Sequence, residues 1–125
     1  MIDPGLTPGE VDVLIDGLTD YVSFNLVLTR LGLEPREGVE WIRPSAADLG
    51  AAFGSVQQLV DGGFACIGRL EPVNGDFVTE DQHDVRRRVE AAVATATTSS
   101  EWAFVCWLAN TPHGDAFARA AHGED

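Results

Sequence analysis

Two short apolar runs, FACIGRL at 64–70 and WAFVCWLA at 102–109, constrain this chain more than anything else in it. The first follows Gly62 and Gly63, precedes a turn through Pro72, Asn74 and Gly75, and predicts a strand with a short extended piece at 76–78 beyond it. The second is rich in aromatic and β-branched residues and predicts a buried strand, after which Thr111 caps a final helix with Pro112 at its first position. A small antiparallel sheet of this kind needs apolar helix faces to cover it.

The helices are marked by their ends. Thr7, Pro8 and Glu10 form an N-cap, a first-position proline and a capping box, and Val11, Leu14, Ile15 and Leu18 then recur at helical spacing. Asp12, Asp16 and Asp20 repeat every fourth residue and predict an acidic stripe on another face of the same helix. A second helix is predicted over 23–31 with Gly32 as its stop, and a connection over 33–44 is expected to hold a short strand near 39–42 and a core Trp41. Ser45 caps a third helix ended by Gly62 and Gly63, within which Gly50 and Gly54 share a face that could admit another helix or simply be tolerated. Thr79 is placed to cap a fourth helix over 80–94. The predicted core is Leu14, Ile15, Leu18, Leu26, Phe53, Val56, Leu59, Ile67, Val105 and Trp107.

A chain of 125 residues, 45% hydrophobic and 22% charged, suits a single domain over 1–125 and excludes a disordered acidic tail. No apolar run has membrane-spanning length, and the start MIDPGLTPGE lacks the basic and apolar regions of a signal peptide, so cytoplasmic residence is the expectation. Cys66 and Cys106 both lie in apolar runs, which predicts buried free thiols. Acidic residues number 20 against 8 basic, a net charge of −12, and every basic residue is an arginine. Such a field repels phosphates and assists association with a cationic protein, although solubility or the composition of the proteome accounts for it equally well.

The order of three helices, a strand, a turn, and a later strand leading into a helix resembles a winged-helix domain. The stretch WLANTPHGDAFARA resembles the end of the wing and the following helix of MarR-like proteins, and LVDGGFACIG resembles the exit from their recognition helix into the first wing strand. The resemblance implies an α+β, winged-helix-like fold over 8–121, with an extra helix inserted between the wing strands. Two departures accompany it: about thirty residues separate the two strand runs, and the helix in the recognition position carries Asp48 and Asp61 but no Arg or Lys. The fold is therefore carried over and DNA reading is not, since base-reading helices need cations against phosphate.

Catalytic patterns are sparse. His83, His113 and His122 are the candidate bases, and none sits in a recognisable nucleophile motif; there is no phosphate loop, no calcium loop and no zinc-type Cys/His spacing, so neither a cofactor nor a metal is expected. Arg86, Arg87 and Arg88 form the one basic run and a possible anion or nucleic-acid contact, but consecutive helical residues fan around the axis and local pairs such as Arg88 with Asp84 or Arg86 with Glu90 are expected.

The leading expectation is a non-enzymatic domain that binds a basic protein, as an adaptor or an immunity-type neutraliser, through Asp12, Asp16 and Asp20. The alternatives are a dimeric transcriptional regulator with cations from Arg36, Arg43, Arg69 and the 86–88 run, and a small enzyme whose site is assembled from scattered residues.

Overall fold

The computed structural model describes residues 5–33, 44–98 and 100–123. Its elements run α1 (Pro8–Asp16), β1 (Val22–Ser23), α2 (Phe24–Arg30), α3 (Ala46–Asp61), β2 (Ala65–Leu70), β3 (Phe77–Thr79), α4 (Gln82–Thr95), α5 (Ser100–Ala103), β4 (Trp107–Asn110) and α6 (Pro112–His122). The chain is thus mixed α+β, with six helices and one four-stranded antiparallel sheet in the order β1-β4-β2-β3 among the described residues. The expected strand at 39–42, Trp41, Arg36 and Arg43 lie outside the described residues. Among the described residues no helix is long and apolar enough to cross a membrane.

Local chemistry sets the helix ends. Thr7 and Glu10 close the capping box reciprocally: the Thr7 amide donates to Glu10 Oε1 at 2.9 Å and the Glu10 amide to Thr7 Oγ1 at 3.2 Å. Gly63 takes φ +79°, which lets the Phe64 amide reach back to the Leu59 carbonyl at 2.9 Å and turns the chain from α3 into β2. Ser45 caps α3 as expected, and Ser23, expected inside the second helix, is instead the N-cap of α2.

The sheet register explains the core. Val22, Leu108 and Ile67 stand opposite one another and all are buried, so this row faces the helices. Around it close Val13 and Leu14 of α1, Phe24 and Leu28 of α2, Phe53, Val56 and Leu59 of α3, and Val85, Val89 and Val93 of α4. Phe24 stacks on Phe53 with centroids 5.2 Å apart and meets the edge of Trp102 at 6.2 Å.

Three expectations are corrected. The run 102–109 is not one strand: Trp102 and Ala103 belong to α5, which packs against α2 and α4, and pairing begins only at Trp107. Burying the Trp102 ring completely between helices outweighs its strand propensity. Because Cys106 and Leu108 point inward, alternation turns Trp107 to the other face, where it is only half-buried. Ile15, Leu18, Leu26 and Val105 flank the core and are likewise partly buried, whereas Leu14, Phe53, Val56, Leu59 and Ile67 are buried as expected. Finally, α4 starts two residues late. Thr79 still pairs with Gly68 and the Glu80 amide still donates to the Ile67 carbonyl at 2.9 Å, so the ladder holds the chain extended until Asp81 caps the helix.

Candidate functional site

The acidic stripe depends on a helix that reaches Asp20, and α1 ends at Asp16. Gly17 begins a turn, so Asp20 leaves the helical face and its carboxylate instead accepts from the Tyr21 amide at 2.7 Å. Asp16 is bound in a bidentate pair with Arg30 of α2, at 2.5 Å from Nε and 3.2 Å from Nη2. Asp12 alone of the three stands exposed on α1. The carboxylates at 12, 16 and 20 therefore do not form a stripe along one helix.

The basic run is spent locally. Arg86 lies 3.8 Å from Glu90 and over the Phe53 ring at 5.6 Å, and Arg87 pairs with Asp84. Arg88 turns to Glu80 instead of Asp84, with bonds of 2.9 and 2.8 Å to its two carboxylate oxygens and a further bond of 3.3 Å to the Val105 carbonyl. Arg69 joins this cluster, 3.9 Å from Glu80 and 2.9 Å from Glu71. The Arg88 hydrogen bonds hold the Glu80 carboxyl below its usual range and raise Arg88 in turn. The cluster links the end of β3 to α4 and to the segment before β4. Beside it, burial pushes the Cys106 thiol up to about 12, so at neutral pH it is a protonated core residue. Cys66 is half-buried and also free, which corrects the expectation that both thiols are fully enclosed.

The Thr-Pro-x-Gly turn at 111–114 is a structural joint. Thr111 Oγ1 donates to the Gly63 carbonyl at 2.6 Å and accepts from the Gly114 amide at 3.0 Å, while the Thr111 amide donates to the Phe64 carbonyl at 3.0 Å. His113 stacks on Phe64 with centroids 4.7 Å apart. Asn110 completes the docking of this end by donating to the Leu14 carbonyl at 2.8 Å. These residues hold α6 to the α3–β2 junction and to α1.

The described residues leave a different surface open. In the row beside Val22, Leu108 and Ile67, the residues Ser23, Trp107, Gly68 and Thr79 share the opposite sheet face, and by alternation Tyr21, Cys66, Leu70, Phe77 and Ala109 join them. Tyr21 is 39% exposed and stacks on Phe77 with centroids 5.4 Å apart; Phe104 is 56% exposed and stacks on Trp107 at 5.8 Å. Next to Tyr21, an open groove of about 390 Å³ is lined by Thr19, Asp20, Ala109, Asn110 and Asp115. It also meets Gly17 and Leu18 at the C-terminal, electronegative end of α1. Exposed aromatic rings beside two carboxylates suit a ligand that is part apolar and part cationic. Sequence reading missed this face because it assigned Trp107 to the core and had no register to bring Tyr21 and Phe77 together.

Among the described residues no group of three or more His, Cys, Asp or Glu is arranged to hold a metal ion. Comparison of the chain with protein-family models, with curated proteins and with solved structures finds no match.

Proposed function

We propose that this domain binds a basic protein without catalysing a reaction, as an adaptor or an immunity-type neutraliser, through the open aromatic face of its sheet and not through the Asp12, Asp16 and Asp20 stripe. The observation that carries the reading is the juxtaposition of Tyr21, Phe77, Phe104 and Trp107 with the groove that holds Asp20 and Asp115, on a chain of net charge −12. Aromatic anchors supply contact area at low entropic cost, and the carboxylates select cationic side chains and speed encounter. The frame is proposed to be winged-helix-like, with α3 in the position where DNA readers carry their recognition helix. Asp48 and Asp61 on α3, and the local pairing of Arg69, Arg86, Arg87 and Arg88, favour a protein partner over duplex DNA.

The test is capture from an extract of the source cells with four baits: the wild type, Tyr21→Ser with Phe104→Ser, Asp20→Asn with Asp115→Asn, and Arg86→Ser with Arg87→Ser. A partner of high isoelectric point that is released by salt, is lost from the second and third baits and is kept by the fourth is the expected result. Capture that ignores the face variants, or tight duplex DNA binding by fluorescence anisotropy at physiological salt, refutes the reading.

A further inference from the structure

The outer edge of β3 carries an inference that rests on the basic-partner reading and goes beyond it. In the β2–β3 ladder the Glu71 amide donates to Asp76 and the Glu80 amide to Ile67, so the bonded pairs are Glu71 with Asp76, Arg69 with Val78, and Ile67 with Glu80. Antiparallel pairing alternates, and Phe77 and Thr79 in between must direct their N–H and C=O groups away from β2. These outward groups have no partner among the described residues. The other sheet edge offers no comparable length, since β1 spans Val22–Ser23 and runs directly into α2.

We propose that the basic partner adds a strand to this edge, pairing an extended segment of its own with Phe77 and Thr79. The register holds over Phe77–Thr79, about 10 Å, with single bonds at Asp76 and Glu80 beyond its ends, enough for a short strand to meet two outward N–H and two outward C=O groups. The Phe77 ring, stacked on Tyr21, stands on the open face, so alternate side chains of the added strand continue the aromatic surface. Charge decides the occupant. Asp76 and Asp81 stand exposed at the two ends of the edge, so a second copy of this chain would bring like charges together and a strand flanked by Arg or Lys would neutralise them.

The experiment uses the full chain, isotopically labelled, and two synthetic peptides of alternating Val and Arg, one unmodified and one N-methylated at its central residues. The charge of the two peptides is the same, but the second cannot complete the ladder. The unmodified peptide is expected to bind saturably and to slow hydrogen exchange at the Phe77 and Thr79 amides, and N-methylation to weaken binding by about tenfold or more through lost backbone bonds. Equal affinity of the two peptides overturns strand addition while leaving a basic partner on the open face in place. Saturable binding by neither removes both readings. Protection of Phe77 and Thr79 without peptide, together with a dimer in sedimentation velocity, assigns the edge to a second copy and overturns the proposal.

Discussion

Replacing Gly114 by Ala sets helix propensity against packing, and the structure decides the winner. Gly114 lies in the first turn of α6, where Ala would ordinarily be preferred by about 1 kcal/mol. A Cβ built there falls 2.9 Å from the Phe64 carbonyl carbon and closer still to its oxygen. Ordinary non-bonded contact needs roughly 3.5 Å, and the obstacle is backbone, so α6 must withdraw by on the order of 1 Å. That withdrawal stretches the Thr111 bonds to Phe64 and Gly63, now 3.0 and 2.6 Å, each worth about 1 kcal/mol. It also loosens His113 and Phe117 from the Phe64 ring, at about 0.5 to 1 kcal/mol apiece. A loss of about 3 kcal/mol against a gain of about 1 leaves Gly114→Ala less stable by about 2 kcal/mol. Gly54→Ala is the matched control, because Gly54 is exposed in α3 and a Cβ there meets nothing within 4 Å among the described residues. It is expected to stabilise by up to about 1 kcal/mol, which also means that Gly50 and Gly54 admit no described helix. Urea melts followed by circular dichroism read both. A Gly114→Ala variant as stable as wild type, with an unchanged denaturant slope, would refute the argument that this glycine is kept for close approach.

Other consequences follow from single contacts. Asp16→Asn removes the pair that ties α1 to α2 and is expected to cost about 0.5 to 1 kcal/mol in a thermal melt, whereas Asp12→Asn leaves the midpoint unchanged or slightly raised. Glu80 has its carboxyl held low by Arg88, so its contribution is fully present above the unfolded carboxylate pKa of about 4.3 and is lost as pH falls through the lowered folded value. Glu80→Gln is therefore expected to lose about 1 kcal/mol at neutral pH and to show a shallower acid dependence than wild type in urea midpoints taken from pH 7 to 3; parallel slopes would contradict the pairing. A disulfide-exchange thiol reagent at neutral pH is expected to spare Cys106 in the native protein and to label it once the chain is unfolded, and native labelling of Cys106 confirmed by mass spectrometry would show that its enclosure opens readily.

The sequence was most legible where one residue type serves one local purpose. Thr7 with Glu10, Ser45 before Asp48, Gly32 and Gly63 beyond helix ends, and Thr111 before Pro112 can be read without knowing what lies nearby in space, because caps and positive-φ glycines act within four residues of themselves. The errors fall where long-range pairing outvotes local preference. Trp102 carries a strand-favouring ring but lies where Phe24 can enclose it, and that enclosure is achieved from a helix. Thr79 looks like a cap and is instead held by Gly68 across the ladder.

The candidate site was hidden for the same reason. Asp12, Asp16 and Asp20 looked like one face because a periodicity of four is visible along a sequence, whereas the turn at Gly17 that ends α1 is tied to a side chain ninety-odd residues away. A Cβ at Gly17 would run into the Asn110 side chain, and Asn110 in turn bonds the Leu14 carbonyl at the end of the same helix. The strand that carries Trp107 outward therefore also ends α1, swings Asp20 off the helical face and brings it beside Tyr21 and Asp115. Charge and aromatic surface meet at that point because β4 and α1 are docked through one amide. Asn110→Ala is accordingly expected to weaken any ligand of the groove as well as the fold, and a variant that kept full partner binding despite a lowered melting temperature would show that the groove does not depend on that junction.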